Sequence, residues 1–161
     1  MKITKFPITW IATLVFTAAT TATLTAVPVH ATNLDQLVAA VCDMTTYVEG
    51  KSEVPGDADP LPESAFEAGC LARTTRNALF IGRYTSEPAV QHDLTHLSDF
   101  YRKAGAPPNV VEDAKRGGGT YVLVPMPNGT AVLFEDPNND DVGLSPLQAF
   151  GFAISPNPPQ V

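Results

Sequence analysis

The sequence is poor in positive charge. Ten Lys and Arg stand against 17 Asp and Glu, for a formal net charge of −7. The first 31 residues hold Lys2 and Lys5 and no acid, so the rest is more acidic still. Such a surface repels phosphate backbones and anionic lipid heads, which argues against nucleic acid or a membrane surface as partner. Cysteine is equally scarce. Cys42 and Cys70 are the only two, with no C-x-x-C and no histidine near either in sequence, so redox and zinc-ribbon chemistry lack their usual spacing. Histidine occurs three times, at positions 30, 92 and 96. A serine, histidine and acid triad would have to draw on His92 or His96 once the leader is gone.

What is present at the start reads as an export signal. Lys2 and Lys5 precede an uncharged, largely apolar run from Phe6 to Val29, and Val29-His30-Ala31 offers a cleavage site of the A-x-A kind. The run is long enough to span a bilayer, but threonines dilute it, Pro28 interrupts it and no basic cluster follows. The expected organisation is therefore a cleaved signal peptide at 1–31, one globular domain at 32–154 and a disordered tail at 155–161. In an oxidising compartment, two cysteines permit a single internal pairing, Cys42 with Cys70.

Periodicity suggests a small, mostly helical α+β domain: three to four helices, a C-terminal β-hairpin and one disulfide. A first helix is expected over residues 34–49, capped by Asn33, and a second over roughly 63–80, where Phe66, Cys70, Ala78 and Ile81 fit one stripe. The bridge would then clamp those two helices together. Residues 51–62, with three prolines, read as a loop. The clearest helix starts at Ser86 and Pro88, buries Val90, Leu94, Leu97 and Tyr101, and stops at Gly105. A short helix over 109–115, the breaker RGGG and a hairpin built on Asn128-Gly129 follow. Another short helix is expected after Ser145-Pro146.

The segment QHDLTHLSDF is the main candidate for chemistry. His92 and His96 lie four apart on a helix, as in the H-E-x-x-H zinc motif, and Asp99 could complete a two-histidine, one-carboxylate set. Here Asp93 stands where that motif has glutamate. Helical geometry turns His92 and Asp99 away from the Leu94 and Leu97 stripe, toward solvent, and a lone outer face has no cleft wall. A metal-dependent hydrolase is accordingly the third reading, and no catalytic residue is assigned.

EPAVQHDLTHL, taken with GLSPLQAFGF, is similar to helices of small secreted mycobacterial haemophores. That resemblance implies a haem ligated from among His92, His96, Tyr84 and Tyr101. EDPNNDDVG alternates Asp136, Asn138 and Asp140 like the start of a calcium loop, but Asp141 and Leu147 replace its glycine and closing glutamate. GLSPL lacks the last glycine of a nucleophile elbow, RGGGT lacks the lysine of a phosphate loop, and Asn128-Gly-Thr is a glycosylation acceptor sequence that also makes a turn.

The hairpin TYVLVPMPNGTAVLF carries no charge. One face is expected to pack on helices and the other to dock a protein. The leading expectation is an exported, non-catalytic binding or accessory protein of the bacterial cell envelope or extracellular space, with another protein there as partner and no cofactor. A metal or haem carrier using His92 and His96 is the alternative.

Overall fold

A computed structural model describes residues 33–50, 59–136 and 142–157. The expected signal peptide and the 51–58 part of the proline-rich loop lie outside the described residues, as do Asn138, Asp140 and Asp141 of the calcium-like segment.

Asn33 starts helix α1, Leu34–Val41, its side chain accepting the Asp35 N–H. The helix ends at Val41 instead of continuing to residue 49. Cys42 is already extended and bridges to Ala72, and Asp43 folds a turn by accepting both the N–H and the hydroxyl of Thr45. Those hydrogen bonds, with Arg76 at 2.5 Å, hold the Asp43 carboxyl below its ordinary range. Arg73 donates to the carbonyls of Ala39 and Cys42, satisfying acceptors that the helix end leaves open. Met44 and Val48, which fall within the expected helix, are exposed.

The second expected helix is two strands. Strand β1 (Val48–Glu49) pairs with β2 (Phe66–Leu71), which pairs antiparallel with β3 (Ala78–Tyr84). Between them the chain turns through Thr75 and Arg76, the latter at φ 65°. Phe66, Ala68 and Cys70 alternate onto one face with Leu79 and Ile81. The apparent helical stripe of Phe66, Cys70, Ala78 and Ile81 mixes two period-two patterns across a turn. The mostly helical expectation is thereby corrected: the fold is mixed α+β around a six-stranded antiparallel sheet ordered β1-β2-β3-β5-β4-β6. The disulfide Cys42–Cys70 is present, with Cα atoms 5.7 Å apart, and it ties the end of α1 to β2 rather than to a helix.

Helix α2, Glu87–Lys103, follows its expectation closely. Ser86 accepts the Ala89 N–H, and Val90, Leu94, Leu97 and Tyr101 are buried. Helix α3 spans Pro108–Lys115, and Gly117 in a left-handed conformation turns the chain out of it. The hairpin forms from β4 (Thr120–Met126) and β5 (Gly129–Glu135). Met126 pairs with Gly129, so Pro127 and Asn128 are the turn residues. Gly129 sits at φ 138°, against the Tyr84 carbonyl, where any Cβ would collide. This hairpin is no appendage: β5 pairs with β3 and β4 at the centre of the sheet, and both its faces are covered. The short 3-10 helix Ser145–Phe150 precedes β6, Ser155–Pro156, which pairs with Thr120 and Tyr121. Part of the stretch expected to be a disordered tail is thus in the sheet, and Asn157 beyond it is buried.

Each sheet face has its own core. Leu79, Ile81, Val122, Val124, Ala131 and Leu133 meet α1 and the 3-10 helix on one side. Phe80, Tyr84, Tyr121, Val132 and Phe134 meet α2 and α3 on the other. Among the described residues, no helix is long and apolar enough to cross a membrane.

Candidate functional site

The histidine pair does not stand on a bare helix face. Asp59, Pro60 and Pro62 face it across a cleft of about 220 Å³, lined also by Asp93, Asp99, Phe100 and Lys103. The expectation that a chain this small offers no cleft wall is corrected by the 59–63 segment. Leu61 anchors that segment by full burial, and its N–H goes to Asp59 at 2.9 Å. The His92 and His96 rings stack, with centroids 4.3 Å apart and planes 17° off parallel. Asp99 lines the cleft, but its carboxylate is paired with Arg102 at 2.6 Å. Among the described residues, no set of three or more His, Cys, Asp or Glu is grouped to hold a metal ion.

Asp93 is the residue that sequence reasoning undervalued. It is buried, 1% exposed, at the floor of the cleft. Its carboxylate accepts the Tyr84 hydroxyl at 2.9 Å and the Glu63 N–H at 3.1 Å, with His92 Nδ1 at 3.1 Å. Burial pushes its carboxyl above the ordinary range, and the contacts with His92, Tyr84 and Glu63 N–H partly offset that. The Tyr84 hydroxyl is raised by burial and by the adjacent Asp93. A signal was available in the sequence: Asp93 falls three after Val90 and four before Leu97, on the buried stripe.

A second buried carboxylate, Glu135, was also missed. It accepts N–H groups of Gly143 (2.7 Å) and Leu144 (3.3 Å), the Asn77 amide (2.8 Å) and the hydroxyls of Thr75 and Thr120. Gly143 approaches so closely that a Cβ there would strike this carboxylate. Glu135 therefore fastens the 3-10 helix region to the sheet. Its signal was an acid at the end of a period-two apolar run, in phase with Ala131 and Leu133.

The remaining candidates are dispersed. Tyr84 and Tyr101 are buried in the α2 core and are engaged by Asp93 and by packing, respectively, so they do not join the histidines at the cleft surface. Asp136 follows β5, its N–H donated to the Ala78 carbonyl. The RGGG glycines form the exit from α3, and Ser145 begins the 3-10 helix.

The last surface feature is the outer edge of β4. β6 pairs only with Thr120 and Tyr121. Beyond it, Leu123 is 40% exposed and joins Pro125, Thr130, Glu87, Val90 and Gln91 around a cleft of about 260 Å³ between β4 and α2. No family model, curated protein or solved structure matches the chain.

Proposed function

We propose that this chain is an exported, non-catalytic binding protein of the envelope or extracellular space that holds an extended segment of another protein along β4. The observation that carries this reading is the outer edge of β4, unpaired past Tyr121 among the described residues, beside an apolar cleft. The Gly119 carbonyl accepts the Asn157 N–H on the β6 side. Alternation along the strand then turns the N–H and C=O groups of Tyr121 and Leu123, and the Pro125 carbonyl, outward. β6 meets Tyr121, which leaves the Leu123 pair and the Pro125 carbonyl for an incoming strand. Pro125 has no N–H to offer, so it limits open-ended sheet growth while leaving a short docking register.

Strand addition takes its affinity from such main-chain bonds and its specificity from the side-chain cleft. An aliphatic side chain of the partner would fill the space between Leu123 and Val90. Glu87 at the rim, on a chain of net charge −7, favours a lysine or arginine beside it. The disulfide suits an oxidising compartment.

The test is selection of nine-residue peptides from a displayed library against the oxidised chain. Selected peptides are expected to protect the Leu123 amide from hydrogen exchange and to lose about tenfold or more in affinity on Leu123→Glu. Peptides that bind Leu123→Glu equally well, or protect other amides, would overturn the reading.

A further inference from the structure

We propose that the hairpin end of the α1 sheet face holds a binding site for a small organic monocarboxylate, its acid group on the Arg83 guanidinium and its apolar body beside Met126. The site uses a different cleft from the strand-docking reading and does not rest on it.

The sheet itself makes the hollow. Arg83 is in phase with Leu79 and Ile81, and Met126 with Val122 and Val124, so both belong to the face that α1 packs on. Arg83 pairs with Ala131, and Met126 pairs with Gly129, which lies against Thr85. The middle strand therefore contributes a methyl group and then no side chain, between longer side chains on its two neighbours. The result is a cleft of about 290 Å³ lined by Arg83 and Met126 with Ala65, Thr85, Pro127 and Asn128. That volume is near the lower end for small-molecule sites.

Charge is the second observation. Arg76, Arg102, Lys115 and Arg116 each meet a carboxylate, and Arg73 meets the carbonyls of Ala39 and Cys42. Among the described residues, the Arg83 side chain has neither kind of partner. It lies over the ring of Phe66, its cross-strand neighbour, with the guanidinium carbon 4.9 Å from the ring centroid. A ring contact holds the cation in place and leaves N–H donors of its fork for a planar oxyanion. Arg83 is exposed, so an acid reaches it from solvent.

The ligand class follows from both. One cation matches one negative charge, and a chain of net charge −7 repels anions that carry more, so phosphates and dicarboxylates fit poorly. Ala65, Met126 and Pro127 offer apolar surface without charge, which suits a short aliphatic body.

The experiment is an amide NMR titration of the oxidised chain with sodium hexanoate. Hexan-1-ol and sodium phosphate serve as probes of the apolar body and of the charge alone. Hexanoate is expected to give saturable one-site shifts centred on Thr85, Met126 and Asn128, with the other two probes about tenfold or more weaker. Arg83→Gln should weaken hexanoate about tenfold or more, to the level of hexanol, and Arg83→Lys less, with the rest of the spectrum in place. Hexanol binding as tightly as hexanoate would mean an apolar cleft only and overturn the proposal. So would hexanoate shifts that survive Arg83→Gln, shifts centred on Lys103 instead, or no saturation at all.

Discussion

The two faces of the sheet close in different ways. On the α1 side, the disulfide ties helix to strand, and Glu135 gathers five protein donors with no titratable neighbour among them. On the α2 side there is no covalent tie, and the buried acid, Asp93, reaches a cleft through His92. Both acids do the same mechanical job, fastening a loop to an element, 142–144 to the sheet in one case and 59–63 to α2 in the other. The difference is in what the donors can do. The backbone N–H groups around Glu135 are fixed and can only donate. Around Asp93, the tyrosine hydroxyl can rotate and the imidazole can exchange tautomers. The Glu135 clamp is anchored on backbone donors that cannot reverse, and the Asp93 clamp on side-chain partners that can.

The largest expected effect follows from the Glu135 clamp. Glu135→Gln sets an amide NH₂ against the Gly143 N–H, which lies within 2.8 Å of both carboxylate oxygens and cannot turn, and should cost about 3 kcal/mol or more by urea unfolding. Asp93→Asn should cost less, about 1–2 kcal/mol in the same assay, because Tyr84 and His92 can reverse their hydrogen bonds. Equal costs would erase the contrast. The pH dependence sharpens it. The folded-state carboxyl of Asp93 is raised above its unfolded value, so the folded chain binds that proton more tightly. As pH falls through the window just above 3.8, wild type should therefore gain stability relative to Asp93→Asn, and lose it again as pH rises. Thermal midpoints of the two proteins across that window check the sign.

The smallest effect concerns the α2 core. The Tyr101 hydroxyl is buried and finds no hydrogen-bond partner among the described residues. Tyr101→Phe should be neutral or stabilising, by up to about 1 kcal/mol. A loss of stability would reveal a bond that the α2 side does make.

Much of the α2 side was legible in the sequence. Ser86, Pro88 and Gly105 bracket a helix whose stripe of Val90, Leu94, Leu97 and Tyr101 is buried as spaced, and the charge-free run around Asn128-Gly129 is a hairpin. The cysteine pairing followed from count alone. The α1 side was not legible. FEAGCLAR holds Glu67, Ala68, Leu71, Ala72 and Arg73, which favour helix, yet it forms a strand because Phe66, Ala68 and Cys70 find cover under α1. Long-range pairing decides such a segment, and no window of local periodicity contains its partners. The site divides in the same way. The histidine spacing was visible, whereas the wall that makes it a cleft comes from residues thirty positions away.

Strand order has a consequence for how the chain reaches this state. β3 lies against β5, with two helices and β4 between them in sequence. Until residue 135 is in place, the β1–β3 unit has a bare inner flank and the α1 core lacks half its floor. Neither side of a cut at the RGGG turn holds a finished core, so severed pieces should fold only by recombining. Completion requires the β4–β5 hairpin to take its place in the middle of the sheet.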